Sequence, residues 1–484
     1  LIKQDSHKEN FEDKNYQKMR IAHGDYVAGK YGNRKDFSSY YHERLGQILQ
    51  FVVPTGQRVI EIGCGRGDLL ASLKPSYGVG VDFSGETIKL AKSFHSDLHF
   101  IQADADELDL RDKFDFVILS DVVNELWDVQ SVFQKILAFT TPRSRIVINF
   151  YSRLWELPLD IIRKSGLAKP MLLQNWLTVE DMKGLLSLAG FETIRQWDEI
   201  IWPLRTPVIA SFMNRFIVKI WPFKIFALTH FIVAKPRTPD STAGELPKVS
   251  VIIPARNEAG NINKIFERVP QMGRETELVF VEGGSTDDTY NVIEKAIANN
   301  PHRVAKLLRQ TGKGKGDAVR LGFNNAGGDI LMILDADLTV PPEDLPRFYN
   351  VLYSGKSEFV NGVRLIYPME KEAMRFLNLL GNKFFSLFFS WILGQPIKDT
   401  LCGTKALWVA DYKKIAANRS YFGDFDPFGD FDLLFGAAKL NLKIVEIPIR
   451  YRERTYGTTN IQRWKHAWLL MKMVLFSLKR IKFI

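Results

Sequence analysis

Two aspartates flank a single residue in Asp335-Ala336-Asp337, directly after the apolar run 330–334. Carboxylates at that spacing can both reach one divalent cation. Upstream lies a basic glycine loop at 312–316 that includes Lys315. A second constellation begins after the run Val59–Ile62, where Gly63, Gly65 and Gly67 alternate with other residues. Asp82 follows Gly63 by 19 residues and ends the run Gly78–Val81. A carboxylate in that place can accept hydrogen bonds from both hydroxyls of a ribose. The dinucleotide fingerprint needs glycine or alanine at position 68, which is Asp68 here, so a pyrophosphate is disfavoured. Asp104, after the run Leu98–Gln102, can receive an adenine amino group, and Ser120-Asp121 ends the run Phe114–Leu119.

Short β-branched runs alternate with helical stretches twice, from Val59 to Phe150 and from Val249 to Val363. That alternation predicts an α/β protein of two domains. The length, 484 residues, exceeds what one core holds. The stretch KPRTPDSTAGELPK, residues 235–248, reads as a linker with its boundary near Ala243. The predicted division is therefore 1–234, the linker 235–248, 249–460, and a C-terminal helix over 461–484. Hydrophobic residues make up 46% and charged residues 25%, which excludes both a disordered chain and a bundle of membrane spans. Only two cysteines occur, Cys64 and Cys402, so a disulfide framework is excluded and a reducing, cytoplasmic setting is expected. The opening LIKQDSHKENFEDKNYQKMR is polar, and no secretory signal is expected in it.

The segments EIGCGRGDLL, GVD, QADADEL and FDFVILSDVVNEL, over about residues 40–234, resemble class I S-adenosylmethionine-dependent methyltransferases with a Rossmann-like sheet. The resemblance implies an S-adenosylmethionine site built from Glu61, Gly63, Gly65, Gly67, Asp82, Asp104 and Ser120. In it the glycines underlie the methionine part, Asp82 holds the ribose and Asp104 reads adenine. Many relatives carry a histidine where this chain has Val123-Asn124-Glu125, so no base is identified, and Glu125 or Asp121 is left to assist deprotonation.

The second half carries VSVIIPARNEAGNI, Glu282-Gly283-Gly284-Ser285, the Asp335/Asp337 pair, DTLCGTK from Asp399 to Lys405, and KIVEIPIRY continuing to Arg454 and Gly457. Over about residues 247–465 these resemble family 2 glycosyltransferases of the GT-A fold, most closely the polyprenyl-phosphate sugar synthases. The resemblance implies a nucleotide-diphosphate sugar held by Pro254, Arg256, Asn257, Glu258, Glu282, Gly284, Lys315 and Asp335. It implies Mg2+ or Mn2+ on Asp335 and Asp337, and inversion at the anomeric carbon. Relatives usually have two aspartates where this chain has Glu282-Gly283. Asp430 and Asp432 occupy the family's acidic pair, and one of them would be the base if the acceptor were a saccharide hydroxyl. A polyprenyl phosphate already supplies an anionic nucleophile and shifts the demand to cations, for which Lys405, Arg450 and Arg454 are the candidates.

The helix predicted over 374–393 sets Asn378, Asn382, Ser386 and Ser390 four apart, with phenylalanines elsewhere, which makes it amphipathic and not spanning. Lys465, Lys472 and Lys479 recur every seven residues in WKHAWLLMKMVLFSLKRIKFI, a cationic stripe on an apolar helix suited to an anionic membrane surface. Residues 200–239 hold six basic residues and no acid among many large apolar ones. Lysines and arginines outnumber acids by 65 to 55, yet the basic residues are interleaved with aliphatics, which disfavours nucleic acid. The expectation is a two-activity transferase, peripheral at the cytoplasmic face of the membrane. The alternatives are a saccharide-hydroxyl glycosyltransferase, and a first domain that binds S-adenosylmethionine without turnover.

Overall fold

The computed structural model describes residues 16, 18–26, 29, 39–165, 174–238, 245–367, 376–421, 429, 431–454, 456 and 463–484. The chain forms two compact units, Leu1–Arg237 with Phe483–Ile484, and Thr238–Lys482.

The first unit is built on a seven-stranded sheet of β1 (Arg58–Ile62), β2 (Tyr77–Asp82), β3 (His99–Gln102), β4 (Phe116–Ser120), β5 (Arg145–Tyr151), β6 (Phe191–Glu199) and β7 (Thr229–Pro236), in the order β3-β2-β1-β4-β5-β7-β6. All pairs are parallel except those of β7, which runs antiparallel to β5 and β6. The strands are buried on both faces, as in Val59, Ile60, Val117 and Ile118, which explains why they read as continuous apolar runs. The chain order reverses between β1 and β4, opening a crevice at their carboxyl ends. Lys235 and Pro236 extend β7 and are buried, so the first two residues of the expected linker belong to the sheet. Ala243 lies outside the described residues.

The second unit repeats the logic with β8 (Val249–Ala255), β9 (Thr276–Glu282), β10 (Ala305–Arg309), β11 (Ile330–Ile333), β12 (Phe359–Val363), β13 (Lys405–Trp408) and β14 (Ile444–Pro448), ordered β10-β9-β8-β11-β13-β12-β14. Here β13 is antiparallel to its neighbours β11 and β12, and the switch point falls between β8 and β11.

The helix Phe376–Leu393 buries polar and apolar side chains together, with Phe385, Phe389 and Ile392 in the core beside its polar stripe. Asn382 and Ser386 are buried, and the Ser386 and Ser390 hydroxyls donate to the carbonyls of Lys398 (2.7 Å) and Ile397 (2.9 Å). Its outward side carries Phe384 and the 73% exposed Leu387. The Asn378 side chain lies outside the described residues. The helix Arg463–Ser477 packs Leu470, Met473 and Val474 into the same core as Phe389 and Ile392. Trp468, Lys472, Leu475 and Lys479, at helical spacing, remain exposed. Among the described residues no helix is long and apolar enough to cross a membrane.

Candidate functional site

In the first unit the turn after β1 needs glycine for two distinct reasons. Gly63 (φ +74°) and Gly67 (φ +76°) adopt left-handed backbone, and a Cβ would fall 2.7 Å from Val122 Cγ2 and 2.6 Å from Phe100 respectively. A Cβ on Gly65 would meet nothing within 4 Å, so this residue borders open space. Asp82 ties the turn down: its Oδ2 accepts the Gly65 N–H at 3.0 Å and its Oδ1 that of Ser84 at 3.0 Å. Burial raises the Asp82 carboxyl and holds Glu61 well above the ordinary carboxylate range. Asp104 accepts the Asp106 N–H at 3.3 Å and lies 3.6 Å from the Arg20 guanidinium. Ser120 ends β4 and is half-buried.

Asp121, next in the chain, takes left-handed backbone (φ +59°) and accepts hydrogen bonds from Tyr41 Oη at 2.8 Å and Asn149 Nδ2 at 2.7 Å. Burial pushes its carboxyl up to about 7, against the lowering effect of the Tyr41 hydrogen bond. Burial also raises Glu125, opposed by the charges of Arg20 and His23. Asn124 is fully buried and braces the site, donating to the Asn175 carbonyl at 2.7 Å and accepting the Tyr151 N–H at 3.1 Å. Sequence reasoning missed Arg20, Tyr41 and Tyr151. Arg20 is 3% exposed, its guanidinium lies 4.6 Å over the Phe83 ring, and its Nε and Nη1 have no hydrogen-bond partner.

In the second unit the carboxyl ends of β8 and β11 bring charges together. Asp335 Oδ1 meets Lys315 Nζ at 2.5 Å. Asp337 Oδ2 meets Arg454 Nη2 at 2.7 Å, and Arg454 Nη1 lies 3.4 Å from Glu258. Asp337 Oδ1 accepts from both the N–H (3.1 Å) and the hydroxyl (2.8 Å) of Thr339. Burial would raise Asp335, but the Lys315 ammonium outweighs it and holds the carboxyl below its usual value. A Cβ on Gly403 would fall 2.3 Å from Asp335 Oδ2 and still closer to Lys315 Nζ, so any side chain at this position would push the pair from its present places. Asp335 and Asp337 supply the oxygen donors that a divalent ion takes, and Lys315 and Arg454 stand where its charge would act. Among the described residues no group of three or more histidine, cysteine or acidic side chains is placed to hold a metal ion.

The nucleotide-side candidates line the same ends. Pro254 pairs with Val281 in the ladder, Arg256 is exposed, and Asn257 has left-handed backbone (φ +58°) with its Oδ1 accepting the Thr286 N–H at 2.8 Å. Glu258 is buried and accepts from Asn261 Nδ2 at 2.8 Å. Glu282 Oε1 accepts the Ser285 N–H at 2.5 Å across the left-handed Gly284. Gly283 makes room for Gln310, whose Oε1 would lie 3.0 Å from a Cβ there. Gln310 in turn donates to the Gly314 carbonyl at 2.8 Å and to Asp317 Oδ2 at 3.0 Å, bracing the basic glycine loop.

The three acceptor-phosphate candidates are not gathered in one place. Arg454 stands at the carboxylates. Arg450 is exposed, 5.5 Å over the Tyr367 ring. Lys405 is wholly buried and donates to the Cys402 carbonyl, so the structure corrects its placement: the charge acts on Asp335 from within the fold and presents no ammonium at the surface. Asp432 lies 3.5 Å from Arg419 and 3.9 Å from Arg320. Asp430 and Gly457 lie outside the described residues. Sequence reasoning also missed Arg364, which binds the buried Asp399 with Nε and Nη2 at 2.7 and 2.9 Å and adds to the positive field on Asp335.

Comparison with known proteins agrees with the two folds. Residues 55–200 match the family model described as a methyltransferase domain, and residues 250–408 match that of glycosyl transferase family 2. The chain thus carries a methyltransferase domain followed by a family 2 glycosyltransferase domain. Over 235 residues it is 34% identical to the undecaprenyl-phosphate 4-deoxy-4-formamido-L-arabinose transferase of Edwardsiella ictaluri, covering 47% of this chain and 66% of the relative. It is 29% identical over 236 residues to the dolichol-phosphate mannosyltransferase of Pyrococcus furiosus, covering 46% and 64%. The chain spans between about a third and two thirds of the length of the curated relatives it matches. Among solved structures, glucosyl-3-phosphoglycerate synthase from Mycobacterium tuberculosis, in complex with Mn2+, uridine diphosphate and glucosyl-3-phosphoglycerate, is 19% identical, with 49% of this chain and 80% of that one covered and a TM-score of 0.37.

Proposed function

We propose that the second domain transfers a sugar, with inversion, from a nucleotide-diphosphate sugar to a polyprenyl phosphate, and that the first domain methylates a separate acceptor with S-adenosylmethionine. Both would act at the cytoplasmic face of a membrane. The observation that carries the glycosyl transfer is the convergence of Asp335, Asp337, Lys315, Glu258 and Arg454 at one switch point. Asp335 and Asp337 would hold Mg2+ or Mn2+, which when bound offsets charge on the leaving diphosphate. Lys315 is placed to add a second positive charge there. Arg454 presents a fork of donors that fits a phosphate as well as it fits Asp337. That choice of acceptor is supported by the relatives, whose printed names carry undecaprenyl phosphate and dolichol phosphate. The alternative, a saccharide hydroxyl, calls for an unencumbered base, whereas Asp432 lies between two guanidinium groups.

The exposed faces of Phe376–Leu393 and Arg463–Ser477 suit an interfacial position beside such a lipid, with Phe384 and Leu387 on one helix and Trp468, Lys472 and Leu475 on the other. For the first domain, the ribose would meet Asp82 and the adenine Asp104. Asp121, Tyr41 and Glu125 form the titratable group beside them.

The test incubates the purified protein with a panel of nucleotide sugars, a short polyprenyl phosphate and Mg2+ or Mn2+, and resolves the lipid by mass. Gain of one sugar, lost with chelator and in Asp335→Asn, is expected. An untouched lipid beside glycosylated saccharide would overturn the acceptor assignment. Calorimetric binding of S-adenosylmethionine, reduced at least tenfold in Asp82→Ala, checks the first domain.

A further inference from the structure

The connection between β6 and β7 runs from Ile200 to Leu228, although antiparallel neighbours can be joined by a few residues. It is firmly held. Asn214 is 1% exposed; its Oδ1 accepts the N–H groups of Ile201 (2.9 Å) and Trp202 (2.8 Å), and its Nδ2 donates to the Trp202 carbonyl at 2.7 Å. Ala210, Val218, Ala227 and Leu228 form its buried side.

Its outer side is apolar. Eleven of the 32 exposed large apolar side chains among the described residues fall in the 25 residues 202–226. In the helix Ile209–Arg215, Ala210 and Asn214 are buried while Ile209, Phe212 and the following Phe216 are exposed, the reverse of a water-facing helix. Trp221, Phe223 and Phe226 follow, 73%, 46% and 58% exposed. The Trp155 indole donates to the Phe226 carbonyl at 3.1 Å and so joins to this surface the helix Glu156–Lys164, where Leu157 and Ile161 are also exposed. Soluble monomers rarely leave large apolar side chains this concentrated without a partner.

The charge on this surface selects among partners. Residues 200–239 contain no acid. Lys219 and Lys235 do not contribute, being buried against Glu199 and Glu192, and Arg205 faces Glu43. Arg215 and Lys224 are exposed among the aromatic residues, and Arg215 Nε donates to the Phe483 carbonyl at 2.9 Å. Lysine is depleted in protein–protein interfaces, and exposed cations without any acid between them, set beside tryptophan, suit the headgroup level of an anionic bilayer.

We infer that Ile200–Leu228 is a membrane-docking element of the first unit. It seats Trp221, Phe223 and Phe226 at the boundary of headgroups and acyl chains, with Arg215 and Lys224 among anionic headgroups. The inference goes beyond the proposed activities and requires neither of them.

The test is sedimentation of the purified full chain, free of detergent, with vesicles of phosphatidylcholine alone or mixed with phosphatidylglycerol. The double variant Trp221→Ser/Phe223→Ser should lower the partition coefficient by roughly tenfold or more, the scale set by withdrawing large apolar side chains from water. Lys224→Glu should lower binding only to the anionic vesicles, and most at low salt. Leu188→Ser, 68% exposed but outside the element, should bind as the unaltered protein does. The inference fails if the unaltered chain ignores anionic vesicles, if the double variant binds equally well, or if Leu188→Ser loses as much. It fails too if sedimentation velocity shows an oligomer that the double variant dissolves, which would assign the surface to a second copy of the chain.

Discussion

Replacing Asp399 by asparagine should selectively loosen the second unit, by an amount that follows from five hydrogen bonds. The Asp399 carboxylate accepts from Arg364 Nε (2.7 Å), Nη2 (2.9 Å) and backbone N–H (3.1 Å), from Asn382 Nδ2 (2.9 Å) and from the Leu401 N–H (3.1 Å). Burial alone would raise this carboxyl, but the Arg364 guanidinium overrides it and brings it down to about 2. From an ordinary value of 3.8 that is nearly two units, or about 2.5 kcal/mol favouring the ionised form in the fold. Asparagine also turns a donor toward a cluster of donors and leaves the guanidinium without its counter-charge, and breaking a buried pair from one side typically costs about 3–5 kcal/mol. A loss near 3 kcal/mol corresponds to about a hundredfold fall in amide protection. Hydrogen exchange with mass spectrometry should show that fall in peptides spanning β12 and β13, with peptides of β1 and β4 unchanged as an internal control. The sign with pH is also fixed. A depressed acid stabilises the fold above its unfolded pKa, so the unaltered protein should lose this contribution as pH falls from about 4 toward 2, whereas the variant should not. A change of less than about fivefold in protection, or an equal change in both units, would refute the reasoning.

Further outcomes follow from the two sites. Gly403→Ala would drive a methyl group into Asp335 and Lys315, so lipid glycosylation should fall at least about a hundredfold while melting of the second unit shifts little. Arg20→Ala removes a cation that lies beside both Asp104 and the Phe83 ring, and its charge also bears on Asp82 and Glu125. The ratio of affinities for S-adenosylmethionine over its uncharged-sulfur product should rise roughly tenfold, read by calorimetry with both ligands. Asp121, held near 7 by burial, gives stability that is complete below about pH 4 and lost as pH rises through 7, about 4 kcal/mol in all. Asp121→Asn should abolish that slope in exchange measurements on first-unit peptides between about pH 4 and 7.

What could be read from the sequence was what lies at the ends of buried parallel strands. Val59–Ile62 and the run before Asp335 are continuous apolar stretches because helices cover both faces of each sheet, and their ends stand out as the first polar residues. Long-range pairings left no such trace. Arg20 reaches Asp104 across more than 80 residues, from a segment with no periodic signal. Gly283 replaces the second aspartate that the resemblance led one to expect, and only the fold shows that Gln310 fills the space. Lys405 stands two residues after Gly403 and opens β13, where a lysine reads as exposed; in the fold it is buried and donates to the Cys402 carbonyl. The serine and asparagine stripe of Phe376–Leu393 was legible as a period, but not which face turns inward. The backbone of 397–398 decides it by supplying the partners that those polar groups need.

The two switch points share a design that sequence patterns do not express: acidic groups faced by the chain's own cations. Lys315 and Arg454 stand against Asp335 and Asp337, and Arg20 stands beside Asp104. Gathering carboxylates at a strand end without compensation would destabilise the fold, since each half-buried charge would go unpaired. An internal cation relieves that cost yet leaves the site exchangeable, because a ligand bearing positive charge can assume the same role. Such a ligand gains only the difference between its own interactions and those it replaces, so affinity is moderated while selectivity for charge is retained. The arrangement therefore predicts opposite effects of the same truncation on opposite kinds of ligand. Removing Lys315 should weaken a nucleotide diphosphate, for which it is an attractive partner, and strengthen a divalent ion on Asp335, for which it is a competitor. Titration of the Lys315→Ala protein with Mn2+ alone and with a nucleotide diphosphate alone separates the two. If both affinities move in the same direction, Lys315 is not a stand-in for the ion.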